Sequence, residues 1–271
     1  LLSHFVKFIS FDNSNNIYTA ITKVNTSNNL DLFLVVKYNS VGSEQWTAVH
    51  DNNSGFNSLG GLAIDNAGNS FIGANTLSGF TTIKFTPAGA EQWFRAYTNG
   101  ISEQVRSITT DAAGNCYVTG RSTMSAGNSD FLTIKYLSNG DSAWIRRYNG
   151  PSNSSDGAYG IALDDSVNVY VTGASIGIST NYDYATVKYN ANGFQQWVAR
   201  YNGQLGNGED NAYAIAVDKN RNVYVTGVSD RGGILFDYVT VKYSQFVGIN
   251  PVSNEVPEEF MLYQNYPNPF N

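Results

Sequence analysis

The sequence predicts an all-β protein, a β-propeller of five four-stranded blades, from two observations. A short apolar run, then Asp-x-x-x-Asn, then an aromatic two residues on, recurs five times. Each copy sits among short strand-like segments with no helical periodicity. The pairs are Asp12/Asn16, Asp65/Asn69, Asp111/Asn115, Asp164/Asn168 and Asp218/Asn222, followed by Tyr18, Phe71, Tyr117, Tyr170 and Tyr224. Copies spaced by 53, 46, 53 and 54 residues imply radial or stacked repetition, where each unit buries its apolar face only against a neighbour.

Residues 158–203 show one unit in full. The segments 158–164, 168–175, 182–190 and 194–203 are β-branched, aromatic or alternating, and Gly, Asn, Asp or Ser bound each of them. Four such strands joined by tight turns make one propeller blade. The Asp-x-x-x-Asn element falls between the first and second strands. Too few carboxylates converge there for a calcium loop, so it reads as a hairpin turn capped by the Asp side chain. The second and third copies place Ala-Gly-Asn in this turn, at 67–69 and 113–115, and Asn or Gly there tolerates positive φ.

The first strand carries Ile9, Leu62, Ile108, Ile161 and Ile215 three residues before the marker Asp. One residue later stand Ser10, Ala63, Thr109, Ala162 and Ala216. Large side chains on one face and small ones on the other suit a crowded strand near an axis. The third strand repeats Lys37, Lys84, Lys135, Lys188 and Lys242, each before an aromatic. A Lys in every copy indicates a structural stem laid over a neighbouring strand. The fourth strand carries Trp46, Trp93, Trp144 and Trp197, each followed four residues later by His50, Tyr97, Tyr148 or Tyr201. These rings share a strand face and are expected to be core between blades, Trp93, Trp144 and Trp197 above all; carbohydrate stacking is the rival use. The last copy lacks a Trp-bearing fourth strand, which 244–249 or 259–266 is placed to supply.

Composition narrows the function classes. Of the 271 residues 42% are apolar and 14% charged, and the net charge is −6 without a basic stripe, which disfavours nucleic acid and anionic membrane as partners. The single Cys116 excludes an internal disulfide and a Cys-based zinc site, and reads as a buried, inert thiol. No run is long and apolar enough to span a bilayer. The chain begins at Leu1 without Met, so further sequence before it is expected.

The run Asp-x-x-Gly-Asn-x-Tyr-Val-Thr-Gly, clearest at 111–120, resembles the bacterial SBBP-type β-propeller repeat, and the strand order is similar to NHL-type propellers. The resemblance covers residues 1–243; the first copy departs from it, lacking the turn Gly and carrying Ile21 where later copies have Gly. Residues 263–271, Tyr-Gln-Asn-Tyr-Pro-Asn-Pro-Phe-Asn, resemble the opening of a type IX secretion C-terminal sorting domain. Together they imply a bacterial protein exported to the cell surface or medium. The expected organisation is a propeller over 1–249, with repeats near 1–50, 51–99, 100–150, 151–203 and 204–249. A linker and the start of the sorting domain occupy 250–271. The repeat count leaves open whether five blades close or more blades precede them.

One candidate site emerges. Eight residues before each marker Asp stand His4, Asn57, Glu103, Asp156 and Asp210, all ligand-type residues. If the first strands line an axis, these positions ring one mouth of the channel. Oxygen ligands from several blades would there hold a divalent metal ion, Ca²⁺ first. Calcium-dependent propeller lactonases and phosphotriesterases carry similar axial rings, an analogy of fold and not of motif. The alternative is that the loops are simply polar and turn-rich. No Ser-His-Asp arrangement or nucleophile elbow is present. Two functions follow: a secreted or surface module, expected to be a monomer, that binds a small molecule or extracellular polymer, or a metal-dependent hydrolase of phosphoesters, esters or lactones. In the second, the ion would polarise the reacting oxygen.

Overall fold

The structure, a computed structural model, describes residues 5–25, 30–51, 58–125, 128–203, 208–232 and 235–244. Their regular structure is all β, in five antiparallel sheets that follow the sequence repeat. Sheet one contains β1 (Phe5–Phe11), β2 (Ile17–Asn25), β3 (Leu30–Tyr38) and β4 (Glu44–Asp51). Sheet two contains β5 (Ser58–Ile64), β6 (Ser70–Thr76), β7 (Gly79–Phe85) and β8 (Glu91–Tyr97). Sheet three contains β9 (Ser102–Thr110), β10 (Cys116–Ser125), β11 (Asn128–Tyr136) and β12 (Ser142–Tyr148). Sheet four contains β13 (Asp156–Leu163), β14 (Val169–Ile176), β15 (Tyr182–Tyr189) and β16 (Gln195–Tyr201). Sheet five contains β17 (Asp210–Val217), β18 (Val223–Gly232) and β19 (Leu235–Tyr243). Each strand pairs with the next in the chain, so β19 has no outer partner among the described residues. The segments 245–249 and 259–266, expected to supply that partner, lie outside the described residues, as do residues 263–271, expected to open a sorting domain.

The first strands form the inner line of the molecule. β1 packs on β5, β5 on β9, β9 on β13 and β13 on β17. Among the described residues no packing of comparable extent joins β17 back to β1. Small residues permit the close approach expected of these strands. A Cβ on Gly61 would lie 2.6 Å from Ile108 Cγ2, and one on Gly60 would collide with the Val105 carbonyl oxygen.

Every interface between sheets has the same polarity. The earlier sheet offers a mainly aromatic face and the later sheet a mainly aliphatic one, closed by one aromatic at the end of its third strand: Phe85, Tyr136, Tyr189 or Tyr243. Between sheets three and four, Tyr117, Phe131, Trp144 and Tyr148 cover Ala158, Ile161, Val169, Val171, Ala185 and Val187. Between sheets four and five, Tyr170, Tyr184, Trp197 and Tyr201 meet Ala212, Ile215, Val223, Val225, Val239 and Val241. Strand register builds the aromatic face, because Tyr117, Lys135 and Trp144 stand opposite one another on three adjacent strands. Every sheet repeats the Tyr or Phe and Lys pairing, with the Lys Nζ between 5.0 and 5.4 Å from the ring centre. The Lys stem therefore covers a neighbouring strand, with a cation–π contact added. The indoles latch onto the next sheet. Trp46, Trp93 and Trp144 donate through Nε1 to the carbonyls of Pro87, Ser138 and Ala191, in the turn after the third strand of that sheet.

Trp93 and Trp144 are buried as expected, but Trp197 is only half-buried. Its ring meets Tyr243 of sheet five at 6.0 Å, yet no described fourth strand lies beyond to cover it. Cys116 is fully buried in the interface of sheets two and three, where desolvation pushes its thiol far above the usual range, as suits an inert thiol.

Candidate functional site

The marker turns are structural in all five copies. One oxygen of the Asp accepts the backbone N–H groups two and four residues on; the other accepts the Asn side-chain amide. In the third copy Asp111 Oδ1 takes Ala113 and Asn115 at 3.0 and 2.9 Å, and Oδ2 takes Asn115 Nδ2 at 2.8 Å. Tyr117 adds its hydroxyl at 2.9 Å, as Tyr18, Tyr170 and Tyr224 do for Asp12, Asp164 and Asp218. Phe71 leaves Asp65 without that donor. Burial alone would raise the carboxyls of Asp12, Asp111 and Asp164, but the Asn side chain and the other donors outweigh it and hold them below the usual value. In Asp218 the Asn222 amide is the leading cause of the same shift. The fourth turn residue has positive φ in every copy: Asn15, Gly68, Gly114, Val167 and Arg221. The capped hairpin thus tolerates non-glycine residues where its hydrogen bonds hold the strained backbone.

Of the five ring candidates, His4 and Asn57 lie outside the described residues. Glu103, Asp156 and Asp210 start, or nearly start, β9, β13 and β17, and all three are buried. Each turns into the loop that brings the chain into its sheet. Glu103 Oε1 accepts the Asn99 N–H at 3.1 Å, Asp156 Oδ2 accepts that of Gly150, and Asp210 Oδ2 accepts that of Gly203 at 2.6 Å. Among the described residues no three His, Cys, Asp or Glu side chains come together as a metal-holding group. One oxygen of Asp156 and one of Asp210 remain buried without a partner. Burial pushes the Asp156 carboxyl above its usual value, against the pull of the Gly150 N–H, the nearby Ser175 hydroxyl and Arg200.

Beside these carboxylates runs a second repeated network. Arg200 on β16 donates to Ser175 Oγ at 2.6 Å and to Asp183 Oδ2 at 2.8 Å. Arg147 on β12 repeats it with Ser122 Oγ at 2.7 Å and Asp130 at 3.6 Å. Sheet five retains Ser229 and Asp237, but its Asp237 pairs with the exposed Arg231 of the neighbouring β18 at 3.0 Å.

Sequence reasoning missed one set of residues. Every first strand carries a β-bulge, and the residue skipped in the pairing is Lys7, Gly60, Arg106, Tyr159 or Tyr213. A bulge re-aims its side chain away from the ladder. Arg106, Tyr159 and Tyr213 meet across three consecutive inner strands. The Arg106 guanidinium lies 5.8 Å from the Tyr159 ring centre, and Tyr159 and Tyr213 contact edge-on at 5.6 Å. The available signal was a variable position two residues before a constant Ile or Leu, but bulges have no sequence mark of their own.

Comparison with known proteins shows a β-propeller repeat and a propeller-like fold. Residues 196–233 match the SBBP family, the β-propeller repeat. No curated protein matches the chain by sequence. Among solved structures, the β-propeller domain of the Trilobed protease from Pyrococcus furiosus superposes with a TM-score of 0.52 at 10% identity, covering 89% of this chain and 69% of that one. A protein of unknown function from Dyadobacter fermentans gives 0.52 at 9% identity, covering 83% and 76%. Drosophila Plexin A, solved in complex with Semaphorin 1b, gives 0.52 at 11% identity over 89% of this chain and 53% of its own. At these identities the likeness is one of fold.

Proposed function

We propose that the chain is a non-catalytic binding or display module of the five-bladed propeller type, exported to the bacterial surface or medium. The observation that carries this reading is the uniform use of the recurrent polar side chains. Marker Asp, third-strand Lys, Trp Nε1 and the buried carboxylates before the first strand take equivalent partners in successive sheets. A catalytic group breaks a repeat's local rules, because it is placed for chemistry and not for packing. The resemblance of 263–271 to a sorting signal supports export.

The test pairs binding with turnover. The immobilised chain is challenged with soluble extracellular polysaccharides and proteins, and the free chain is assayed on nitrophenyl esters, a phosphotriester and a lactone with Ca²⁺ or Mn²⁺. Retention of a polymer without turnover is expected. Metal-dependent turnover that disappears in Asp156→Asn would replace this reading with the hydrolase.

One observation favours that second reading: the buried oxygens of Asp156 and Asp210 that lack partners, which a cation would satisfy. A Ca²⁺ ion binding only the native state at a hundredfold excess over Kd adds about 2.7 kcal/mol. Identical melting with EDTA and with millimolar Ca²⁺ removes its support.

A further inference from the structure

We propose that the row Arg106–Tyr159–Tyr213 binds an acidic saccharide, with a sugar ring laid against tyrosine and its carboxylate held by Arg106. The proposal rests on the reading of the chain as a binding module and assigns that module's site and ligand class.

The backbone creates the site. The bulge extrudes one residue from each inner strand, and the five residues there are of four types. Close packing fixes Gly60, but Lys7, Arg106 and Tyr213 are exposed, so packing does not dictate those side chains. Tyr213 is 51% exposed although it lies on an inner strand, and Tyr159 is half-buried against it. Arg106 is exposed, and its Nη2 donates to Gln104 Oε1 at 2.9 Å. Among the described residues no carboxylate lies within ion-pair distance of Arg106. Arg121 of β10, which pairs with Gln104, brings a second guanidinium near Tyr159; its Nε is buried without a partner.

Chemistry selects the ligand. A tyrosine face is electron-rich and attracts the C–H edge of a sugar ring, while its hydroxyl bonds sugar hydroxyls. A guanidinium grips a carboxylate through two parallel N–H donors. The edge-on tyrosines form no parallel slot for a flat base, so nucleic acid fits poorly. Two adjacent rings beside the exposed Arg106, with Arg121 near, match a non-planar ring that carries an acid group.

The experiment titrates the whole chain with trigalacturonate and with neutral maltotriose, at low salt and at about 0.15 M salt. Trigalacturonate should bind about tenfold or more tightly than maltotriose, the advantage shrinking as salt screens it. Arg106→Gln should erase that advantage and leave maltotriose binding unchanged. Tyr213→Ala should weaken both sugars. Both side chains are exposed, so unchanged melting establishes that the variants fold. Equal affinity for the two sugars, an unaltered preference in Arg106→Gln, or no binding of either sugar by the folded chain would overturn the proposal. If the chain retains a polymer from the binding panel and both variants retain it equally, this site is wrong while the binding-module reading stands. If the panel and both sugars all fail, the two readings fall together.

Discussion

Sheets four and five are written in the same repeat, yet their aromatic faces meet different surroundings. Tyr184 on β15 is fully buried; Tyr238, at the same repeat position on β19, is 92% exposed. Thr172 and Thr186 are buried in sheet four, whereas their counterparts Thr226 and Thr240 are exposed in sheet five. Sheet one shows the complementary case. Its outer face is aliphatic, and Ile9 is 61% exposed where the equivalent Ile161 is 8% exposed. A repeat thus specifies which side chains a face presents, and the neighbouring sheet determines what they contribute.

The sharpest test of that statement is a matched pair. Tyr184→Ala removes a buried ring and should cost about 3–5 kcal/mol, while Tyr238→Ala should cost under about 0.5 kcal/mol. Chemical denaturation of the two variants decides it, and equal losses would show that sheet five is covered as sheet four is. The tryptophans grade the same comparison. Trp144→Ala should again lose about 3–5 kcal/mol, and the half-buried Trp197 distinctly less.

Next come the turn caps. Asp164→Ala strips Oδ acceptors from two backbone N–H groups, an amide and the Tyr170 hydroxyl, and should cost about 1–3 kcal/mol. Asp65→Ala should cost less, since Phe71 provides no hydroxyl there. Acid extends this. Asp12, Asp111, Asp164 and Asp218 titrate below their unfolded values. Their stabilisation is complete above about pH 4 and is lost as pH falls through the folded pKa values. Asp156 has the opposite sign: raised in the fold, it stabilises at low pH and loses that contribution as pH rises through its folded value. Asp164→Asn should therefore blunt the acid-induced drop in melting temperature, and Asp156→Asn should melt no lower than the parent at neutral pH. A fall in the latter would show that donors such as the Gly150 N–H outweigh the burial of the ionised Asp156.

The smallest effect concerns strain. Arg221 sits at φ 63°, where Gly68 and Gly114 sit in other copies. Arg221→Gly should gain roughly 0.5–1 kcal/mol, the relief of a left-handed L-residue exceeding the added freedom of the unfolded chain. Thermal melting reads the gain directly.

Residue spacing alone determined the strands, the capped turns and the Tyr–Lys–Trp row, because these depend on contacts within one repeat or between identical neighbours. The period-two alternation that selects a strand also selects its face, so Trp144 was legible as core. Trp197 was not, because its burial depends on a strand beyond its own repeat. The buried carboxylates were legible as ligand-type residues. Their use was not, because whether Asp156 faces an axis or caps Gly150 is set by how the chain turns between sheets. The row Arg106–Tyr159–Tyr213 was decided by tertiary structure alone. A one-residue bulge in each inner strand re-aims its side chain, and only the packing of three first strands side by side brings residues 53 or 54 positions apart into contact.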